Sequence, residues 1–311
     1  MYRDIEPGGR EVEQPDLSRG GGASDSPERA DFPDADRDAL TRDLDLPRGS
    51  SRESVRRRNW EGDLRGSEVR VMATAGAFRV VAMDELRRAD DRPHVHRKDV
   101  ERLRELDLVR TMPYVVGRER ETLVTLTERG RDVLEASRRD VSGEARQAFY
   151  AGIAKPRELA HDVRVHSAYL EASRRLEERG LRVCRVVLEQ ELKREYQIFL
   201  QEPNRGRRGS SGRSPRTSDD IARWAREHDL RVIDDHVQFP DLRLECEGRE
   251  GRREIEDVEV MTPHYRGAHA GAKVQAGFSR YGSVGARLGG SSGARRGGRA
   301  ADPRLAEQML R

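Results

Sequence analysis

The sequence is poor in the residues that build protein cores. Aromatic residues make up 5% of its 311 positions and hydrophobic residues 34%, whereas charged residues make up 38%. A chain with so little apolar material cannot bury all of its length, so substantial segments are expected to stay outside any core. The length nevertheless allows about two domains.

Cysteine and long apolar runs are also scarce. The two cysteines, Cys184 and Cys246, both lie in strand-like apolar runs and have no metal-ligand spacing around them. This excludes a disulfide scaffold and a cysteine-based zinc site, and both thiols are expected to be reduced core residues. There is no apolar run of about 18 residues and no signal-peptide core. We therefore expect a soluble, cytoplasmic protein with no membrane partner.

Lysine is also rare in the sequence. Only four of the 60 basic residues are lysine, and the formal net charge is +3. Because arginine pervades the whole chain, its abundance alone is weak support for nucleic-acid binding. The partner has to be inferred from where donor-bearing side chains cluster rather than from the overall charge.

Apolar residues are distributed so that they divide the chain into five segments. Residues 1–61 and 283–311 are rich in glycine, serine and charge and are expected to be disordered tails. Residues 62–140 and 158–282 carry periodic apolar positions and are expected to fold as two domains. Residues 141–157 are expected to link them.

The first folded segment predicts three helices, a β-hairpin and a closing helix. The predicted helices span 67–75, ending at Gly76, then 82–88 and 96–106; the hairpin strands span 109–116 and 121–126; and Thr127 caps the last helix. The phrases DVERLRELDLVRT and LVTLTERGRDVLE resemble the recognition helix, wing and last helix of MarR-like winged helix-turn-helix domains.

That resemblance implies double-stranded DNA as a partner. In this fold the third helix enters the major groove and the wing follows the backbone or minor groove. Arginine can read guanine or hold phosphate, whereas lysine more often holds phosphate alone. The candidate DNA-binding residues at these positions are His94, His96, Arg97, Lys98, Arg102, Arg118 and Arg120.

A second use of the same domain stays open, namely protein contacts or dimerisation. Glu101 and Glu105 on the predicted third helix add negative charge there, which weighs against a tight DNA face. A homodimer is therefore an open alternative for the assembly.

The second folded segment contains a hairpin rich in carboxylates. Residues 241–246 and 255–260 alternate polar and apolar side chains around a turn that holds two glycines. Side chains two apart on a strand share a face, so Asp257 and Glu259 point the same way, with Asp241 opposite one of them. Carboxylates this close repel unless a cation intervenes, and their hard oxygens suit Mg²⁺. The alternative is the solvated face of an ordinary hairpin.

The order of elements in this segment resembles the replication-relaxation family of plasmid and mobile-element proteins. Matching positions are the aspartate Asp241, the acidic pair Asp257 and Glu259, then Thr262, and finally Lys273 and Tyr281 on a predicted helix. The resemblance implies a DNA-binding protein that acts in replication, maintenance, transfer or transcription control. On the long helix predicted at 158–179, His161 and His166 are interpreted as structural.

The same block is similar to the PD-(D/E)XK nuclease core, an α/β fold of the restriction-endonuclease type. In that core an aspartate and a second acidic residue hold Mg²⁺, and a lysine positions or activates the attacking water. The similarity implies catalytic roles for Asp241, Asp257, Glu259 and Lys273, with the three acidic residues as metal ligands. The predicted architecture is thus an α+β winged helix-turn-helix domain followed by an α/β restriction-endonuclease-like domain.

Two departures from the nuclease pattern leave open whether the chain is an enzyme. The position two residues after Asp257 holds Glu259 rather than lysine, so the lysine has to come from Lys273. The strand expected after the following helix is also not evident. Mg²⁺ is expected as a cofactor only if the nuclease-like site is active.

Overall fold

The structure, a computed structural model, describes residues 38–88, 94–116, 119–139, 146–153, 156–204, 216–248, 251–261, 273 and 275–282. The predictions of disorder over residues 1–37 and 283–311 lie outside these described residues. Within them the chain is a mixed α and β protein, as its patterns predict. No helix in this part of the chain combines the length and the apolar character needed to cross a membrane.

Order begins well before residue 62, which corrects the prediction of a disordered segment over residues 1–61. An antiparallel hairpin joins β1 (Glu53–Arg57) to β2 (Trp60–Leu64). Upstream of it, Leu40 and Leu44 are buried in the main core, and Leu44 forms a β-bridge with Arg138. The two leucines are four residues apart, a helical spacing, but so short a run does not predict a folded segment, and only tertiary packing reveals it.

The next elements follow the predicted order of helices, hairpin and closing helix. They are α1 (Gly66–Phe78), β3 (Val81–Ala82), α2 (Met83–Arg88), α3 (Arg97–Glu105), β4 (Val109–Val116), β5 (Glu119–Leu126) and α4 (Glu128–Glu135). The strands form an antiparallel sheet in the order β3-β5-β4.

Helix α1 continues past its predicted end at Gly76. A Cβ at Gly76 would come within 2.9 Å of a Leu126 methyl and 3.0 Å of the Phe149 ring. The glycine therefore permits close packing of the helix on its neighbours, and it does not terminate the helix.

The second half of the chain is built around a four-stranded sheet. Its elements are α5 (Leu159–Glu178), β6 (Leu181–Leu188), α6 (Glu189–Gln201), α7 (Ser218–Glu227), β7 (Val232–Ile233), β8 (His236–Val237), β9 (Leu242–Gly248), β10 (Arg253–Val260) and β11 (Ser279–Tyr281). The sheet order is β11-β10-β9-β6, with β11 parallel to β10 and the other neighbours antiparallel. Helix α5 packs against β6 and β10.

Strand β11 corrects two expectations about the end of this half. Tyr281, predicted to lie on a helix, lies instead in β11 opposite Val260, with its side chain buried. The strand that the sequence did not make evident after Lys273 is therefore present. It spans three residues, too few for an alternating pattern, and only its pairing with β10 defines it.

The two halves share one core across the predicted linker. Gln147 donates from Nε2 to Val186 O and accepts from Val186 N at Oε1, each at 2.9 Å. The rings of Phe78 and His166 meet edge-on with centroids 5.0 Å apart, and His166 Nδ1 lies 3.0 Å from Glu85 Oε2. One hydrophobic cluster therefore continues from α1 through α5 into the four-stranded sheet.

Candidate functional site

Helix α3 begins with a run of exposed hydrogen-bond donors. His96 N donates to Asp99 Oδ2 at 2.9 Å, so a buried carboxylate closes the first turn. Val100 and Leu103 are completely buried and orient the inner face of the helix. The predicted DNA-binding residues that this arrangement leaves exposed are His94, His96, Arg97 and Lys98.

The two predicted DNA-binding arginines within α3 have different surroundings. Arg97 Nε donates to Glu101 Oε1 at 2.9 Å, yet its side chain is 73% exposed. Arg102 is drawn inward: its Nη2 donates to Asp63 O at 3.3 Å and its Nε lies 3.6 Å from Glu68 Oε1. Arg97 can therefore reach an external partner, whereas Arg102 also ties α3 to α1 and the β1–β2 hairpin.

The β4–β5 hairpin adds one of the predicted DNA-binding cations, Arg120, to those of α3. Arg120 of β5 pairs with Val115 of β4, and both side chains are exposed. Arg118, the other predicted contact of this hairpin, lies outside the described residues. The described part of the predicted DNA surface thus consists of the α3 N-terminus, the partly exposed Arg102 and Arg120.

Asp241 lies directly before β9 in the second candidate site. Its Oδ2 accepts a hydrogen bond from Val260 N at 2.8 Å and lies 3.2 Å from His161 Nε2. Burial alone raises the pKa of Asp241, but the His161 hydrogen bond, the charges of His161 and Lys273 and the Val260 N–H lower it below its usual value. Asp241 is therefore a carboxylate at neutral pH.

His161 of α5, which the sequence indicated to be structural, lies in this candidate site. Besides Asp241, its ring contacts Asp162, with Nδ1 3.5 Å from Oδ1. Burial lowers the pKa of His161, but hydrogen bonds to Asp162 and Asp241 and the charges of both outweigh burial and raise it to about 10. An imidazolium thus faces the carboxylate at neutral pH. No local pattern indicates this contact, because α5 and the start of β9 are distant in sequence.

Glu259 and Lys273 form the second pair of this site. The Glu259 side chain is 2% exposed, and Lys273 Nζ donates to its Oε2 at 2.8 Å and to Phe239 O at 2.6 Å. Leu242 pairs with Val258, and continuing this antiparallel register places Asp241 opposite Glu259. The structure therefore brings Asp241, Glu259 and Lys273 together, and the lysine comes from beyond β10.

Asp257 shares the face of Glu259 but is held by a different partner. Arg243, directly opposite on β9, donates from Nε and Nη2 to the two carboxylate oxygens at 2.7 and 2.9 Å. Arg243 also donates to His228 O at 2.6 Å. Burial raises the pKa of Asp257, and its bond to Arg243 opposes that rise without cancelling it. The predicted cluster of three carboxylates is thus divided by an arginine.

Two carboxylates of this site, Asp241 and Glu259, are the candidate ligands for a divalent cation. In the part of the chain that the structure describes, no group of three or more His, Cys, Asp or Glu side chains is arranged to hold a metal ion. Mg²⁺ needs only one or two carboxylates when phosphate oxygens and water supply its other ligands. Asp241 and Glu259 could supply those two carboxylates but are paired with His161 and Lys273. Asp257 would have to leave Arg243 to join them.

Comparison with protein-family models, with curated proteins and with solved structures gives no match for the chain. The arrangement of these side chains is therefore the basis for inferring a function. Of the positions in the family resemblance, Thr262 lies outside the described residues, and Tyr281 lies in β11 beside Val260.

Proposed function

We propose that the chain is a DNA-binding protein whose residues 66–135 act as a winged helix. The observation that carries the proposal is the exposed N-terminal end of α3, where His94, His96, Arg97 and Lys98 all present donors to solvent. A helix packed on its inner face by Val100 and Leu103 can present this end to the major groove.

The exposed residues divide into different roles in this proposal. Arg97, with its forked guanidinium, is the candidate for reading a guanine edge, and Lys98 is the candidate for a backbone phosphate. Arg120 on the β4–β5 hairpin would contact the backbone beside the groove. The resemblance to the replication-relaxation family supports a process in plasmid or mobile-element replication, maintenance, transfer or transcription control.

The test is DNA affinity measured by fluorescence anisotropy with the double variant Arg97→Ala/Lys98→Ala. We expect binding of a labelled duplex to weaken by roughly 10- to 100-fold, because a base contact and a phosphate contact are lost together. The matched control is Arg223→Ala/Arg226→Ala on the exposed side of α7. Equal affinities of wild type and double variant would remove α3 from the proposal and favour a protein-interaction role.

A second candidate function is Mg²⁺-dependent cleavage of DNA by a PD-(D/E)XK-like domain. The observation that favours it is the convergence of Asp241, Glu259 and Lys273 at one end of the four-stranded sheet. Asp241 and Glu259 would hold the cation, and Lys273 Nζ would donate to a phosphate oxygen or to the attacking water. When bound, Mg²⁺ polarises a phosphodiester and lowers the pKa of its bound water.

The cleavage test uses supercoiled plasmid with Mg²⁺ or Mn²⁺. We expect wild-type nicking to disappear in Asp241→Asn and Glu259→Gln but to persist in Glu254→Gln, a carboxylate of the same strand that pairs with Arg179 and Arg252. Intact plasmid with wild type in both metals would dismiss catalysis and leave DNA binding as the function.

A further inference from the structure

Glu68, at the start of α1, is a buried carboxylate approached by two arginines. Its side chain is fully buried, and Oε2 accepts a hydrogen bond from Arg65 N at 3.0 Å. Oε1 accepts from Arg52 Nη2 at 2.8 Å and lies 3.6 Å from Arg102 Nε. The buried Glu68 carboxylate thus forms ion pairs with the guanidinium groups of both Arg52 and Arg102.

Both arginines remain open to solvent on their outer sides. The Arg52 side chain is 40% exposed and that of Arg102 is 36% exposed. Arg52 uses only Nη2 in the bonds that the structure describes, so Nε and Nη1 face no described acceptor. Guanidiniums held in this way lose little conformational freedom on meeting a phosphate, to which each can donate a single charge-assisted hydrogen bond.

The position of this pair continues the exposed end of α3. Lys98 and Arg102 are four residues apart and therefore neighbours on one side of the helix. Arg52 directly precedes β1 and donates to Glu68 Oε1, the oxygen that lies 3.6 Å from Arg102 Nε. A line of cationic groups thus runs from Lys98 through Arg102 to Arg52, from α3 to the β1–β2 hairpin.

Nearby carboxylates reduce the net positive charge around Lys98, Arg102 and Arg52 but do not block these side chains from solvent. Glu68 and Asp99 are completely buried and face inward, with Asp99 bound to Arg65. Asp63 is exposed, and its charge acts on Arg52. These side chains therefore offer oriented hydrogen-bond donors without a large net positive charge. Such an arrangement suits contact with individual phosphate groups.

We propose that Arg52 and Arg102 bind a DNA backbone phosphate beside the segment read by α3. The N-terminal hairpin then belongs to the DNA-binding surface, and the phosphate contact fixes the register of α3 without reading sequence. This inference rests on the proposed DNA-binding function and extends it to residues before α1.

The experiment measures the salt dependence of affinity for two unrelated labelled duplexes with the full chain. Arg52→Gln should weaken binding several-fold on both duplexes and reduce the slope of log affinity against log salt by about 1, because one phosphate contact is lost. Arg52→Lys, which keeps the charge, should retain most of the slope. The matched control is Arg179→Gln, an exposed arginine paired with Glu254, which should behave as wild type.

A second variant distinguishes loss of DNA contact from loss of folding. Ser54→Glu adds a negative charge at an exposed position of β1 without removing a buried contact. It should also weaken binding to both duplexes. An unchanged slope in Arg52→Gln, together with unchanged affinity in Ser54→Glu, would overturn the inference while leaving α3 as the DNA contact. Absence of any wild-type binding would instead reject the proposed function, and with it this surface.

Discussion

At the scale of single residues, pairing with cationic side chains determines which carboxylates of the β9–β10 hairpin are the candidates for binding a metal ion. Asp257 looks equivalent to Glu259 in the sequence, because both alternate with valines on one strand. The register shows the difference, since Arg243 lies opposite Asp257 whereas Asp241 follows opposite Glu259. The candidate metal pair is therefore Asp241 with Glu259, a choice that depends on the cross-strand partner.

Removing Arg243 should be strongly destabilising. Its side chain is 5% exposed and holds Asp257 with two bonds, so Arg243→Ala leaves a buried carboxylate without its partner. We expect a loss of about 3–5 kcal/mol in the free energy of unfolding, measured by urea denaturation. Arg253→Ala, at an exposed position of β10, should change it by less than about 0.5 kcal/mol. A loss for Arg243→Ala as small as that control would refute the buried pair.

The pairing of His161 predicts a specific pH dependence of stability. Its pKa in the folded chain is about 10, above the ordinary value of about 6.5 for histidine in an unfolded chain. A raised folded pKa contributes stability that is complete below the unfolded pKa and is lost as pH rises through the folded pKa. Wild type should therefore lose stability between about pH 6.5 and pH 10.

The comparison variant for this dependence is His161→Gln, studied by denaturation over the same pH range. Its stability relative to wild type should improve as pH rises, because it lacks the imidazolium contribution at low pH. Parallel curves for the two proteins would contradict the contacts of His161 with Asp162 and Asp241.

At the scale of elements, strongly periodic segments were predictable and short or irregular ones were not. Helices α3 and α5 and strand β4 lie within a residue or two of their predicted bounds, because long amphipathic or apolar runs define them. The hairpin β1–β2 and strand β11 were missed. Each strand of the β1–β2 hairpin buries a single residue, Val55 or Leu64, and β11 is only three residues long, so neither carries the alternating apolar pattern that predicts a strand.

The ordered segment before β1 yields a stability prediction. Leu44 is 1% exposed and lies in the main core, so Leu44→Ala should lower the free energy of unfolding by about 2–5 kcal/mol. Val232→Ala, at an exposed position of β7, serves as the control and should be nearly neutral in thermal or chemical denaturation. Full wild-type stability in Leu44→Ala would restore the view that this segment does not fold.

At the scale of the whole molecule, the two halves form one packed body. The predicted linker contributes Gln147 and Phe149 to buried contacts, and one hydrophobic cluster extends from Leu40 to Tyr281. Calorimetry should therefore show a single cooperative unfolding transition with equal calorimetric and van't Hoff enthalpies. Two separated transitions would indicate that the shared core is absent.

Contact between the N-terminal end of α3 and DNA can be measured by photo-crosslinking. A benzophenone-bearing residue replaces either His94, exposed before α3, or Glu178, exposed at the end of α5. We predict that, on irradiation with a labelled duplex, crosslinked DNA forms from position 94 and not from position 178. Crosslinking from position 178 alone, or binding without any crosslink from position 94, would contradict it.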